Sequence, residues 1–180
     1  MSRASPGGVV SAQAVVAAIV LAVACAEAGV AVAPDWAFTS TSTREIQLPA
    51  AVVDSLEFAE LEYDGPPYRG LRADLDGDGA AEFVVESARS LCGNGGCVYA
   101  LFDGASLRPL GLVFGGWLVV RSAPAGTFPV ITSLSHLSVE AATDATFVYD
   151  GKQYVRGSSI EVHGSALDRL VQELRQVPIR

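Results

Sequence analysis

The sequence predicts a mainly β fold, built from antiparallel hairpins, with one amphipathic α-helix at the C-terminus. Short runs of β-branched and aromatic residues recur along the chain, and Asp-Gly or Gly-Gly turns separate them. The last segment changes period, because its apolar residues fall three and four positions apart. The hairpins are compatible with a propeller-like arrangement and with a small β-sandwich or barrel, and the sequence leaves that choice open.

Composition and charge limit the class of protein. The chain has 180 residues, half of them hydrophobic and 18% charged, so one domain with a buried core is expected. There are 12 basic and 20 acidic side chains, which give a formal net charge of -8. Without a basic patch to neutralise phosphates a nucleic-acid partner is not expected, whereas an acidic surface suits a cationic protein. Acidity that only keeps an exported protein soluble is the alternative.

The N-terminus predicts export. Arg3 precedes an uncharged stretch, residues 4–26, whose most apolar part is Val15–Ala24. A positive start, an apolar run of about ten residues and small residues after it are typical of a secretory signal. We therefore predict that residues 1–33 are a signal peptide and that the protein reaches the periplasm or the outer membrane.

Two cleavage sites compete within this segment. Ala31–Ala33 has the small-x-small form of a signal-peptidase site, although a proline directly after it is unfavourable. Leu21–Cys25 resembles a bacterial lipobox, in which the cysteine is lipidated, but it has alanine where leucine is usual. Cys25 is the odd cysteine beside Cys92 and Cys97, so it either leaves with the signal peptide or carries lipid. We favour lipidation, which would make this anchor the only membrane contact.

A single β-rich, calcium-binding domain is predicted over residues 46–180. Residues 34–45 precede it and include Thr39-Ser40-Thr41-Ser42-Thr43, a polar run that suits a tether. A short helix is expected from Pro49 to Leu56, with proline in its first turn. The predicted strands are Phe58–Tyr63, Tyr68–Ala73, Glu82–Ser87, Val98–Phe102, Leu110–Phe114, Trp117–Arg121, Pro129–Thr132, Thr146–Tyr149 and Gln153–Arg156. The final helix should begin after Ser165 as N-cap and end before Pro178.

An acidic loop is the most informative motif. Asp74, Asp76 and Asp78 alternate along the chain, a glycine follows, and Glu82 adds a fourth carboxylate. In a calcium loop, positions 1, 3 and 5 supply side-chain oxygens and position 6 is glycine. Position 7 then offers the backbone carbonyl of Ala80, and position 9 offers Glu82, directly or through water. The loop has no histidine or cysteine for a softer metal, so Ca²⁺ is the predicted ion; a solvated acidic turn without an ion is the alternative.

The loop is not an EF-hand. Position 12 is Val85 rather than a bidentate glutamate, and the residues after the loop favour a strand. The D-x-D-x-D-G-x-x-E pattern running into a strand resembles the calcium loops of FG-GAP and VCBS-type β-repeats, found in β-propellers and related secreted modules. This resemblance covers residues 74–85 and implies a calcium site in a β context, without implying a catalytic activity.

Cys92 and Cys97 are predicted to form a disulfide. Three glycines in the four-residue spacer allow the tight path of a small ring, and export favours a stable bridge. We expect the bridge to fix a loop next to the calcium hairpin. A metal-binding or redox pair is the alternative, although such pairs more often have a two-residue spacer.

The sequence contains none of the common catalytic motifs for acyl transfer, zinc hydrolysis or phosphate binding. His136 and His163 are the only histidines and are expected at the surface or in turns. We therefore predict that the protein is not an enzyme. A small hydrolase of envelope polysaccharide with paired carboxylates is the alternative, because the separation of such a pair is spatial rather than sequential.

The predicted function is that of an exported, lipid-anchored, calcium-binding module that recognises another protein. Some periplasmic lysozyme-inhibitor and immunity lipoproteins are similar in combining a lipobox, β architecture and an acidic calcium loop. That similarity implies inhibition of a wall-degrading enzyme, so a cationic cell-wall hydrolase is the expected partner.

Overall fold

The computed structural model describes residues 35–57 and 61–180. The predicted signal peptide and Cys25 lie outside the described residues, so both stay predictions. The strands are β1 (Trp36–Phe38), β2 (Arg44–Ile46), β3 (Tyr68–Ala73), β4 (Glu82–Glu86), β5 (Cys97–Phe102), β6 (Pro109–Gly115), β7 (Trp117–Val120), β8 (Ile131–His136), β9 (Ala141–Tyr149) and β10 (Tyr154–His163). The helices are α1 (Ala50–Glu57) and α2 (Gly164–Leu174), and a 3₁₀ turn spans Arg89–Leu91.

All ten strands join one sheet, in the order β1-β7-β8-β9-β10-β6-β5-β4-β3-β2. The sheet curls into a half-barrel. Its strand pairings are antiparallel except that between β10 and β6, where Tyr154 lies opposite Gly111. The predicted mainly β fold with a C-terminal helix is therefore confirmed, and its sheet is continuous rather than divided into propeller blades.

Side chains alternate between the two faces of the sheet, as the period of two in a strand requires. In β4, Val84 belongs to the largest apolar cluster, whereas Phe83 and Val85 pack with Val52 and Leu56 of α1. We call the face that carries the largest cluster the inner face. Its fully buried side chains include Phe38, Val84, Tyr99, Leu101, Leu110, Leu118 and Ile131.

Helix α2 covers another part of the outer face. Leu167 and Leu174 are buried there against Ala37 and Val119, which confirms the predicted apolar stripe. The predicted N-cap is wrong: the N-cap residue is His163, and no side chain caps the helix. Neither α1 nor α2, the two α-helices of the described ranges, has the length and apolarity needed to cross a membrane.

The folded domain begins earlier than the predicted boundary at residue 46. Trp36–Phe38 forms β1 and pairs with β7, and both Trp36 and Phe38 are buried in the inner cluster. The polar run that suggested a tether is folded as well: Ser42 and Thr43 are buried, and the Thr43 hydroxyl accepts a hydrogen bond from Nη2 of Arg69 at 2.7 Å. Internal hydrogen bonds thus satisfy polar side chains that we expected water to solvate.

Most predicted strands are present, with altered ends. The acidic hairpin and the Asp150-Gly151 hairpin are confirmed, and β10 extends well beyond the predicted end at Arg156. The prediction for residues 58–63 is wrong in its described part, since residues 61–63 belong to no strand. Residues 58–60 lie outside the described ranges.

Candidate metal centre

The acidic loop is the tip of a hairpin. Strands β3 and β4 pair antiparallel, with Ala73 opposite Glu82, and residues 74–81 connect them. Gly79, at position 6 of the predicted calcium loop, has φ of +92°, a conformation that side-chain-bearing residues rarely adopt. The backbone therefore makes the sharp turn where the motif requires glycine.

The structure brings the three loop aspartates together. One carboxylate oxygen each from Asp74, Asp76 and Asp78 lies within 4.8 Å of the others. Calcium binds oxygens at about 2.3–2.6 Å, so ligands on opposite sides of the ion lie up to roughly 5 Å apart. The spacing and the all-oxygen donor set therefore fit a calcium ion held by these three side chains.

Hydrogen bonds inside the loop hold the aspartates in place. The Asp74 carboxylate accepts from the Gly77 and Gly79 amides at 2.7 and 3.1 Å. Asp76 accepts from the amide of Asp78 at 3.1 Å, and Asp78 accepts from that of Ala80 at 2.6 Å. These bonds orient the side chains before any ion arrives, which lowers the entropy cost of binding one.

Asp76 is the least exposed member of the group. Partial burial raises its pKa, and the negative charges of Asp78, Asp74 and Asp103 raise it further, although a hydrogen bond from the Asp78 amide opposes them. The ionised form of Asp76 is therefore less favourable than that of a free aspartate, and a bound cation would offset this cost. Asp103, which directly follows β5, adds a further negative charge near Asp76. The loop motif gave no indication of this residue.

Glu82 plays a different part from the three aspartates. It is 1% exposed, and its carboxylate accepts from the amides of Leu75 at 2.6 Å and Gly104 at 3.2 Å. Burial raises its pKa to about 7, although the two hydrogen bonds oppose this rise. The side chain thus ties the loop to the β5–β6 turn, and it lies outside the three-aspartate group. Its predicted ligation of the ion stays a prediction.

The neighbouring turn packs closely against the loop. A Cβ atom on Gly104 would lie only 2.7 Å from the carbonyl oxygen of Ala80, so glycine is required at this contact. Leu75 anchors the loop from its other side, since it is buried in the inner cluster. A single leucine inside an acidic loop was the sequence signal for this anchor. The carbonyl of Ala80 as a calcium ligand stays a prediction.

A cavity of about 310 Å³ borders the loop. Asp74 and Asp76 line it together with Trp36, Arg121 and Arg180. Arg121 is held at this position by Asp35, with a distance of 3.0 Å between the charged groups. The cavity supplies the entry path that a metal site requires.

The predicted disulfide between Cys92 and Cys97 is present. The loop that it closes follows β4, so it lies next to the calcium hairpin, as we expected, but at the end opposite the acidic tip. The acidic loop adjoins Glu82 at the start of β4, whereas the sulfur atoms lie close to Glu86 at the end of that strand. Four residue steps along a strand separate these ends by about 13 Å.

Both histidines are exposed, as predicted. Comparison of the chain with protein families, with curated proteins and with solved structures gave no match. The fold and the site together define a β-rich protein that has a short disulfide loop and an acidic group able to hold a metal.

Proposed function

We propose that this chain is an exported, lipid-anchored, calcium-binding recognition module that docks a cationic wall-degrading enzyme and inhibits it. The convergence of Asp74, Asp76 and Asp78 at an accessible hairpin tip is the observation that carries this proposal. A bound Ca²⁺ would neutralise the cluster and fix the loop as a rigid contact surface.

Charge supports a cationic partner. The formal net charge is -8, and ten of the 20 acidic residues fall between Asp54 and Glu86, against Arg69 and Arg72. Opposite charge accelerates association and orients the encounter. A loop already fixed by its own hydrogen bonds and by an ion loses little entropy when it docks.

The proposal assigns no catalytic step to the chain. Glu82 has the raised pKa that a general acid needs, but it is buried and both of its oxygens accept backbone hydrogen bonds. A glycosidase acid must reach the oxygen of its substrate's leaving group. This arrangement therefore favours a binding module over the hydrolase alternative.

Calcium is expected to stabilise the protein. With a dissociation constant of about 10⁻⁴ M, typical of extracellular sites, 10 mM Ca²⁺ should raise the free energy of unfolding by about 2.7 kcal/mol. Calorimetry in chelator and in calcium measures this as a rise in melting temperature. The double variant Asp76→Asn and Asp78→Asn should lose the rise, because it removes two charged ligands.

The matched control is the double variant Asp54→Asn and Asp168→Asn, which removes two exposed aspartates of the helices and should keep the full rise. A wild-type melting temperature that calcium does not change would refute the calcium site. If calcium raised the melting temperature of the Asp76→Asn and Asp78→Asn variant but not that of the control variant, the ion would bind outside the acidic loop.

The docking proposal predicts inhibition of a cationic muramidase. Clearing of a peptidoglycan suspension by lysozyme should slow when the calcium-loaded protein is added, and the inhibition should weaken as salt screens the charges. The Asp76→Asn and Asp78→Asn variant should inhibit less. If the protein alone cleared the suspension, the hydrolase alternative would be correct; unchanged lysozyme activity at micromolar protein would reject this partner class.

A further inference from the structure

The Cys92–Cys97 disulfide lies beside a buried carboxylate. Glu86 is 3% exposed, and its Oε1 atom lies 3.7 Å from the Cys97 sulfur and 4.0 Å from the Cys92 sulfur. A disulfide has no proton to donate to this oxygen, and burying a carboxylate costs free energy. A purely structural bridge therefore does not explain why the acid is placed against both sulfurs.

The other oxygen of Glu86 is already engaged. Its Oε2 atom accepts a hydrogen bond from the Thr43 hydroxyl and lies 3.8 Å from Nε of Arg69. These contacts fix the carboxylate so that Oε1 points at the disulfide. Among the described residues, Oε1 has no hydrogen-bond donor, and its recorded polar neighbours are the two cysteine sulfurs.

The two cysteine residues differ in exposure. Cys97 is 3% exposed, whereas Cys92 is half-buried. A cavity of about 400 Å³ opens onto the bridge, and it is lined by two guanidinium groups and one carboxylate (Arg69, Arg89 and Glu86) together with Ser40 and Thr41. Two guanidinium groups attract an anionic thiol and favour its thiolate, the nucleophilic form.

We propose that Cys92–Cys97 is an exchange-active disulfide that small anionic thiols open at Cys92, and that Glu86 accepts the Cys97 proton when the bridge reforms. In the opening step an incoming thiolate attacks the Cys92 sulfur and forms a mixed disulfide. The Cys92–Cys97 bond breaks, and its electron pair leaves on the Cys97 sulfur, which takes a proton that Glu86 relays from solvent.

The closing step reverses this exchange. Glu86 accepts the proton of Cys97, the Cys97 thiolate attacks the Cys92 sulfur, and the small thiolate leaves. Complete reduction instead requires a second thiolate, which attacks the small-molecule sulfur of the mixed disulfide. Two electrons then pass from two thiols to the protein, and the products are one small disulfide and two cysteine thiols.

The first test compares the reactivity of Cys92 with that of Cys97. The variants Cys97→Ser and Cys92→Ser, each combined with Cys25→Ser, leave one free cysteine each and are incubated, folded, with oxidised glutathione in the presence of chelator. Mass spectrometry should show a mixed disulfide forming at least about tenfold faster on Cys92 than on Cys97. Equal rates, or no reaction on Cys92 until denaturant is added, would overturn the proposal.

The pH profile of ring closure tests Glu86. The charged and titratable groups that face it are Arg69 of β3, Tyr99 of β5, Arg89 of the 3₁₀ turn and the two cysteines. With Glu86→Gln, closure of the glutathione adduct at pH 7 should slow about tenfold or more, because a general base is lost. Above the ordinary thiol pKa of about 8.5 the thiolate forms without a base, so the two rates should converge.

Slowing by the same factor at pH 7 and pH 10 would reject Glu86 as the base, because a purely structural effect does not depend on thiol ionisation. If Glu86→Gln fails to fold, the comparison of the two single-cysteine variants still tests whether exchange takes place at Cys92, and incubation of the folded wild-type protein with reduced glutathione tests whether the bridge opens. All of these measurements are made without calcium, so they succeed or fail independently of the proposed metal centre.

Discussion

Replacing Phe38 with alanine is expected to lower the free energy of unfolding by about 3–5 kcal/mol. Phe38 is 0% exposed and belongs to the inner cluster. Its ring packs edge-on against Tyr99, with 5.3 Å between the ring centroids. Alanine would remove this contact and leave a cavity that the surrounding strands can fill only in part.

Urea denaturation of the mature protein measures this effect. Val139→Ala is the matched control, since Val139 is 96% exposed and its truncation should change stability by less than about 0.5 kcal/mol. A loss below about 1 kcal/mol for Phe38→Ala would mean that β1 contributes little, as a flexible tether would.

Replacing Glu82 with alanine is expected to destabilise the calcium-free protein by about 2–4 kcal/mol, because it leaves one buried and one partly buried amide without an acceptor, and a buried amide in that state costs about 1–3 kcal/mol. The two amides concerned belong to Leu75 and Gly104. Their loss would also separate the acidic loop from the β5–β6 turn. Denaturation in chelator measures the change without a contribution from calcium binding.

The pH dependence of stability tests whether Glu82 titrates with a raised pKa in the folded protein. Its folded pKa is about 7, above the ordinary value of 4.5, so the folded state binds more protons than the unfolded state between these values. The contribution of Glu82 to stability in chelator should therefore be fully present below pH 4.5 and fall by about 3 kcal/mol as the pH rises to 7. Glu82→Gln, which keeps the shape but does not titrate, should flatten this interval. An unchanged slope in Glu82→Gln would exclude Glu82 as the cause.

Local sequence signals predicted the hairpins because their chemistry is local. An Asp-Gly turn needs only its two flanking strands, and Asp150-Gly151 connects β9 and β10 as expected. Strand β1 depends on a partner far away in the chain, since Trp36 pairs with Val120. Its surrounding polar residues suggested solvent exposure, because sequence composition does not reveal which hydroxyl groups find internal partners.

The part of the candidate metal centre that depends on neighbouring residues in the chain could be predicted, and the part that depends on the folded sheet could not. Asp74, Asp76 and Asp78 lie within one turn, so their spacing alone brings them together. The burial of Glu82 depends on its place in β4, where it alternates with Phe83 and so faces the same side as Val84. Its second amide partner comes from Gly104, a contact that only the folded sheet creates.

The two ends of the folded domain meet at β1. The amide of Ala37 donates to the carbonyl of Pro178 at 2.8 Å, and the amide of Arg180 donates to the carbonyl of Ala37 at 3.0 Å. Trp36 and Arg180 also line the cavity beside Asp74. A lipid attached at Cys25 would therefore be joined to the domain on the side of the metal centre. Ten residues from Cys25 to Asp35 span at most about 35 Å when fully extended. An enzyme docked on the acidic loop would therefore have to fit within about that distance of the bilayer.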